Sequence, residues 1–413
     1  MATLELPEEL LLQVFQLLRT DTLPGVILAC RPFRRIAIPI LYTDVVLEGF
    51  DAVIAFCRRV IAAGQDPVGH LVRSIHIYAC RNAASPTAEV LVEARTQLVA
   101  CVKLTPQLRS FVCRLYEGSL TRLELCISVC EIHTLEHLEF SASDCSFDTR
   151  HNSALDSSDD PKLTAPSSPP PNLKYLVVQD LGMRHQRTDN YDSLLGSIMS
   201  GPHLEEIVIR TVSVDEFLHP SWTANISSSL RALTVPSLSR GVLRVLLQCP
   251  HICSLTISDA EHDVAEIQQL QLLRDEKTAT IPLETLRCCS QMLEPCTSLF
   301  DGLAYIGIDN ATYPCDHKYD SPGWICRQGY CPEVLATDIL SSVALYASTL
   351  RSLSFNTRDA QIIALADNPG AIPTFPVLET CVIGCLFRRC RATVSMLSVT
   401  RTFKLPTRTD TYI

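Results

Sequence analysis

The chain has 413 residues, of which 47% are hydrophobic and 19% charged, with a formal net charge of −10 at pH 7. This composition is that of a globular protein with a large core, and the acidic balance excludes the basic face that nucleic-acid binding requires. The N-terminus is acidic where a signal peptide is basic, and the longest apolar runs are too short to span a bilayer. We therefore expect a soluble protein of the cytoplasm, the nucleus or both, which binds neither nucleic acid nor membrane.

The 19 cysteines are odd in number and are scattered over predicted helices and strands. Disulfide frameworks belong to small secreted proteins with paired cysteines. We expect reduced thiols that are mostly buried as small hydrophobic side chains.

Residues 4–47 carry the first clear pattern, which predicts three short helices. Pro7 suits the first turn of a helix, and Glu8 and Glu9 place negative charge at its positive end. Two adjacent apolar stripes follow, one of Leu6, Leu10, Val14 and Leu17 and one of Leu11, Phe15 and Leu18. A second helix is predicted over residues 24–30, ended by Pro32, and a third over residues 33–41. So small a unit should cover its apolar surface with a partner or with the next domain.

The order of these residues resembles an F-box, as found in fungal F-box-like proteins. The match runs through Leu6-Pro7-x-Glu9-Leu10, Val14-Phe15, Leu17-Leu18, Ala29-Cys30-Arg31, Phe33-Arg34 and Leu41-Tyr42. The resemblance implies that residues 1–48 dock on the Skp-type adaptor of a cullin-RING ubiquitin ligase. The docking residues it implies are Leu6, Pro7, Leu10, Val14, Phe15 and Leu18, while Phe33, Ile36 and Leu41 hold the box together. The alternative is a three-helix cap on a repeat protein.

Beyond the helices, one apolar pattern returns along the chain. A strand is predicted over residues 42–47 and a helix over residues 51–63. The form apolar-x-x-apolar-x-apolar then begins at Val72, Leu108, Leu135, Leu173, Leu204, Leu230, Ile252, Leu283, Leu303, Leu350 and Leu378. Further helices are predicted over residues 88–104, 240–249, 264–275 and 333–347.

This pattern resembles degenerate leucine-rich repeats. The predicted fold class is α/β: a three-helix F-box, then an irregular leucine-rich-repeat-like solenoid over residues 49–386 in which short parallel strands alternate with helices. An ordinary wound α/β domain is the alternative, because alternation of strands and helices alone does not separate the two.

Two inserts and a tail depart from the repeats. Residues 141–172 are rich in Ser, Asp and Pro and predict a disordered loop. Residues 313–332 are predicted to form a surface loop with three thiols and an imidazole, namely Cys315, His317, Cys326 and Cys331. Their spacing matches no common zinc site, although zinc stays open as the alternative. Residues 387–413 are basic and predict a short cap or a flexible tail.

One enzyme-like motif occurs, at His133, Glu136 and His137, which fit H-x-x-E-H. That zinc motif requires a helix, whereas the repeat predicts a strand, in which the two histidines stand over ~13 Å apart. No catalytic residue, metal ligand or cofactor is therefore predicted. We expect a non-enzymatic protein, with an enzyme of unrecognised type as the alternative.

The resemblance implies the substrate-recognition adaptor of an SCF-type (Skp–cullin–F-box) ubiquitin ligase, which acts by holding an unknown protein substrate near a ubiquitin-charged enzyme. Substrate contacts are expected between the apolar repeat positions, at Lys174, Tyr175, Glu205, Glu206, Arg231, Arg351 and Glu379. The alternative is a leucine-rich-repeat scaffold outside ubiquitination, whose N-terminal helices form only a cap.

Overall fold

The structure is a computed structural model, and it describes most of the chain in separate stretches. The described residues are 6–18, 22–62, 68–78, 87–114, 123–141, 169–179, 189–210, 218, 226, 228–258, 281–288, 293, 299–308, 336–357, 373–385 and 399–403. The chain divides into two units, residues 1–213 with 219–229, and residues 214–218 with 230–413. Each unit is described by itself.

The first unit begins with the three predicted helices, α1 (Glu8–Leu17), α2 (Leu23–Ala29) and α3 (Arg31–Thr43). Helix α3 is longer than predicted, because Pro32 lies in its first turn, where a missing N–H leaves no hydrogen bond unmade. The three helices close around a core of Phe15, Leu23, Ile36 and Ala37, against which Phe33 and Leu41 also pack. The rings of Phe15 and Phe33 meet edge to face, with centroids 5.3 Å apart.

In the described stretches, the rest of the first unit has six strands and five further helices. The strands are β1 (Asp44–Glu48), β2 (Ser74–Tyr78), β3 (Ser110–Arg114), β4 (His137–Ser141), β5 (Tyr175–Gln179) and β6 (Glu206–Arg210). The helices are α4 (Phe50–Ala62), α5 (Val68–Leu71), α6 (Ala88–Lys103), α7 (Leu123–Cys130) and α8 (Asp189–Met199). The strands pair in parallel in chain order, so that their first residues form one row across the sheet: Asp44, Ser74, Ser110, His137, Tyr175 and Glu206.

The second unit repeats this arrangement. The α-helices and strands in its described stretches are β7 (Ala232–Val235), α9 (Arg240–Gln248), β8 (Ser254–Ile257), β9 (Ile281–Pro282), β10 (Thr285–Cys288), β11 (Phe300–Asp301), β12 (Tyr305–Ile308), α10 (Ala336–Val343), β13 (Ser352–Thr357), β14 (Thr380–Cys385) and β15 (Val399–Phe403). Strands β7, β8, β10, β12, β13 and β14 pair in parallel in that order, and β15 pairs antiparallel with β14. Strands β9 and β11 form a separate parallel pair.

The apolar repeat positions are the core of both units. Every one of them whose burial the structure describes is at most 4% exposed. In each repeat the first apolar residue precedes the strand and the other two point inward from it, because alternate residues of a strand face the same side. The core therefore lies on one face of each sheet, and the residues between the apolar ones form the opposite, open face.

The strand order agrees with the predicted repeat. Strands follow one another in chain order within each unit, which is compatible with a solenoid-like array, whereas a doubly wound sheet reverses its order at a switch point. The strand predicted over residues 42–47 begins later, at Asp44, because α3 continues to Thr43. Strand β15 was not predicted, since residues 387–413 were expected to form a cap or tail.

Three predicted features lie outside the described residues: the helix over residues 264–275, nearly all of the insert over residues 141–172, and the Cys/His loop over residues 313–332. Among the helices that the structure describes, none has the length and apolar character needed to cross a bilayer.

Candidate interaction surfaces

The first candidate surface is an apolar stripe at the N-terminus. Leu6, Leu10, Val14 and Leu17 are between 46% and 86% exposed. Leu10, Val14 and Leu17 share one side of α1, because residues three or four apart lie on the same face of a helix, and Leu6 lies two residues before the helix begins. Four exposed apolar side chains in a row form a patch that water solvates poorly.

The structure divides the predicted docking residues between this stripe and the core behind it. Leu6, Pro7, Leu10 and Val14 are exposed together, whereas Phe15 is 4% exposed inside the three-helix core and Leu18 packs against it. Leu17 and Leu28 were not among the predicted docking residues, yet both are highly exposed. Helical spacing already placed Leu17 in line with Leu10 and Val14.

The three-helix domain joins the first repeat without a linker. Helix α3 ends at Thr43 and β1 begins at Asp44, and the carbonyl of Thr43 accepts a hydrogen bond of 2.9 Å from the amide of Arg73. The ring of Tyr42 stacks on that of Phe56 in α4, with centroids 6.4 Å apart. The orientation of the apolar stripe is thereby tied to the first repeat.

The second candidate surface is the open face of the sheet in the first unit, which is built around a buried carboxylate. Glu139 is 2% exposed, and its two oxygens accept hydrogen bonds from Nε and Nη2 of Arg114 at 2.5 and 2.9 Å. Nη1 of Arg210 lies 4.0 Å from Glu139 Oε1. The guanidinium carbon of Arg114 also lies 5.7 Å from the centroid of the Tyr78 ring, a cation–π arrangement. Strands β2, β3, β4 and β6 contribute to one network.

Two histidines lie beside this network. Burial lowers the pKa of His76, and the Arg114 charge lowers it further, while Asp44 and Glu139 act in the opposite direction. Burial likewise lowers the pKa of His137, with Glu139 opposing and His76 and Arg114 adding to the effect. Both imidazoles are therefore neutral at pH 7.

His137 is fixed by its neighbours on both sides. Its Nδ1 lies 3.1 Å from the hydroxyl oxygen of Ser110 on β3. On the other side its ring meets the ring of Tyr175 on β5 edge to face, with centroids 6.4 Å apart. The Tyr175 ring, which is itself exposed, is held in place by this contact.

A groove of about 460 Å³ crosses the starts of β3 to β6. Its lining includes Arg109, His137, Tyr175, Val177, Glu206 and Val208. Glu136, also in the lining, lies between two cations, with its oxygens 3.8 Å from Arg109 Nη1 and 3.7 Å from Lys174 Nζ. Its apolar floor and charged rim make this groove a candidate binding surface.

The structure brings four of the predicted substrate-contact residues to this groove or its edge. Tyr175 and Glu206 line it, Lys174 pairs with Glu136 beside it, and Glu205 is exposed next to Glu206. The other three, Arg231, Arg351 and Glu379, are exposed in the second unit, each immediately before a strand.

Sequence reasoning missed the network around Glu139. Its members occupy open-face positions of four strands that are far apart in the chain. The available signal was a charged or aromatic residue next to the last apolar position of a repeat, as at Tyr78, Arg114, Glu139 and Arg210.

The H-x-x-E-H motif is not helical, but the strand predicted for it covers only its last residue, because His133 and Thr134 lie in a turn before β4. His137 begins β4, Glu136 is held between Arg109 and Lys174, and the carbonyl of His133 accepts a hydrogen bond from Nδ2 of Asn172. Within the described stretches, no three His, Cys, Asp or Glu side chains are grouped to hold a metal ion. The predicted cysteine-rich loop with His317 is not in those stretches.

Most cysteines that the structure describes are buried free thiols, as expected. Burial raises the pKa of Cys130 and Cys249, and it raises that of Cys381 to about 11. These groups are therefore protonated at neutral pH and pack as small apolar side chains.

Comparison with known proteins gives one positive result, at the N-terminus. A search of curated proteins found no match to the chain. Residues 3–48, which contain the three helices and the exposed apolar stripe, match the family model described as F-box-like. The chain therefore carries an F-box-like domain at residues 3–48.

Proposed function

We propose that this chain is the substrate-recognition subunit of an SCF-type ubiquitin ligase, similar to fungal F-box-like proteins, and that it acts in the cytoplasm, the nucleus or both. The observation that carries the proposal is the exposed apolar stripe of Leu6, Leu10, Val14 and Leu17 on an F-box-like domain. F-box domains typically bind Skp-type adaptors, and an adaptor that covers the stripe removes it from water.

Burying the exposed half of each of these side chains contributes about 1 kcal/mol. Phe15, on the adjacent face of the helix, fills the core of the domain and holds α1 against α2 and α3. In the proposal it acts by packing, and Leu6, Pro7, Leu10 and Val14 contact the adaptor, with Leu17 added to them.

The remaining residues bind the protein to be ubiquitinated. We interpret the repeats as degenerate leucine-rich repeats, and the sequential parallel strands with buried apolar positions support this interpretation. The chain performs no chemistry in this proposal. The adaptor connects it to a cullin, and the bound substrate is held near the ubiquitin-charged enzyme at a raised effective concentration.

The test is a binding measurement between a purified Skp adaptor and the intact chain with Val14→Glu. A carboxylate at this position would be buried without a partner, so we expect affinity to fall at least about tenfold. The matched control is Leu12→Glu, which makes the same change at another exposed leucine of α1, about 160° around the helix from Val14. Its affinity should stay close to that of the unchanged chain.

The proposal fails if the folded, intact chain does not bind the adaptor, or if Leu12→Glu weakens binding as much as Val14→Glu.

The second candidate is a repeat scaffold outside ubiquitination, in which the helices form a cap. The stacking of Tyr42 on Phe56 favours it, since a cap must pack on the first repeat. Unfolding of the whole chain by Val14→Glu, seen by circular dichroism, would support this candidate.

A further inference from the structure

We propose that the groove across β3 to β6 binds a protein segment in which a Lys or Arg side chain stands beside an apolar one. The proposal rests on the substrate-recognition function proposed above and names the class of substrate segment that the first unit selects. Its determinants are Tyr175, Val177, Glu206 and Val208.

The charges at the β6 end of the groove are not balanced. Glu136 is satisfied by Arg109 on one side and Lys174 on the other. In contrast, neither Glu205 nor Glu206 forms an ion pair with any residue described in the first unit. Two cations, Arg109 and Lys174, stand against three carboxylates, Glu136, Glu205 and Glu206, so the described side chains here carry one net negative charge.

The nearest imidazole does not offset this charge. Burial keeps His137 neutral at pH 7, and its Nδ1 is already directed at the hydroxyl of Ser110. A cation from a bound segment is then the group that fits beside Glu206.

The floor of the groove fits the stem of a long cationic side chain and an apolar neighbour. Tyr175 lies directly opposite Glu206 in the parallel register, and Val177 lies opposite Val208. Adjacent strands are about 4.8 Å apart, so an aromatic ring and a carboxylate stand side by side, and the two valines come next along the same face of the strands. The stem of Lys or Arg packs along such a ring while its charge reaches the carboxylate, with a cation–π contribution from the ring.

An acidic or phosphorylated segment fits this face less well than a cationic one. The guanidinium of Arg114 is engaged bidentately by Glu139 and lies over Tyr78, and Arg210 faces the same carboxylate. An incoming anion would have to compete with a carboxylate that is already in place and buried.

The experiment selects a phage-displayed library of random linear peptides on the intact chain. We expect enriched peptides to carry Lys or Arg next to Leu, Ile, Val or an aromatic residue. The affinity of one such synthetic peptide should fall about fivefold with Glu206→Gln and about tenfold with Tyr175→Ala. The matched control is Glu48→Gln, an exposed carboxylate at the end of β1 on the same open face, which should leave affinity unchanged.

Reversing the charge at Glu206 tests for direct contact, because a purely structural role of Glu206 would not change the sign of the charge on the selected peptides. A second selection on Glu206→Arg should replace Lys and Arg by Asp and Glu in the enriched peptides. Enrichment of acidic peptides on the unchanged chain, no enrichment at all, or equal effects of Glu206→Gln and Glu48→Gln would overturn the proposal.

Skp-adaptor binding by the same variants separates the two proposals. If the chain binds peptides through the groove but does not bind the adaptor, the proposed ligase function is wrong and the groove remains a peptide-binding site. If the chain binds the adaptor normally but binds no peptide through the groove, only the proposal about the groove is wrong.

Discussion

Glu139 shows how one buried charge organises the open face of the first unit. Its side chain lies between Leu138 and Phe140, both of which point into the core, so the strand directs the carboxylate to the other face. A carboxylate that is 2% exposed is stable only with hydrogen-bonding partners, and Arg114 provides two of them. The side chain of Arg114 is 36% exposed and keeps contact with water.

This difference in exposure predicts unequal effects of removing either partner. Arg114→Met leaves a carboxylate that water does not reach, with Arg210 at 4.0 Å as its remaining cation, and should lower the free energy of unfolding by about 3 kcal/mol. Glu139→Gln leaves a guanidinium that water does reach, and should lower it by about 1 kcal/mol. Urea denaturation of the intact chain measures both values.

The matched control is Arg58→Met, which removes an exposed cation that pairs with Glu93 between α4 and α6. Exposed pairs contribute roughly 0.5 kcal/mol, so this variant should hardly change the urea midpoint. Equal losses for Arg114→Met and Glu139→Gln would contradict the role given to burial.

At the scale of elements, the backbone of α5 comes close to the residue that follows α6. Gly69 lies in α5, and a Cβ atom built on it would stand 2.1 Å from the carbonyl oxygen of Leu104, which follows α6. That contact is with backbone, which cannot rotate aside as a flexible side chain does. A glycine at this position therefore lets the two elements approach.

Gly69→Ala should lower the free energy of unfolding by about 2 kcal/mol, because the added methyl group forces α5 away from Leu104. Gly25→Ala is the matched control: Gly25 also lies in a helix, α2, but nothing stands within 4 Å of a Cβ built there. Replacing a helical glycine by alanine, without a clash, favours folding by roughly 0.5–1 kcal/mol. Urea midpoints that move in the same direction for both variants would argue against the predicted clash.

The elements were largely predictable from the sequence, and the site was predictable only in part. Apolar spacing identified the repeat strands, because burial imposes the same pattern on each of them. It also found the two stripes of α1, but both are apolar, and only packing against Ile36 decides that Phe15 faces the core. The network of Arg114 and Glu139 depends on the parallel register of strands 25 residues apart, which no local pattern encodes.

At the scale of the molecule, the F-box-like domain continues directly into the first repeat. No residues separate α3 from β1, and α3 lines a cavity of about 290 Å³ with Arg59, Val68 and Leu71 of the following elements. Within the first unit, this continuity fixes the distance from the exposed apolar stripe to the groove. In a ligase that acts by proximity, such a rigid connection sets which part of a substrate is presented.

The position of β1 leads to a prediction about where the two parts separate. Residues 44–48 lie within the F-box-like match, yet they pair with β2 and bury Val45 and Leu47 against the repeat core. A truncated chain that starts at Asp44 keeps this strand, whereas one that starts at Phe50 exposes the edge of β2 and loses both side chains.

Chains starting at either residue lack the stripe and should not bind the Skp adaptor. The free energy of unfolding of the chain that starts at Phe50 should be about 3 kcal/mol lower than that of the chain that starts at Asp44, as measured by urea denaturation. The chain that starts at Phe50 should also associate through its open edge, as measured by light scattering. Equal stability of the two truncated chains would mean that β1 belongs with the helices rather than with the sheet.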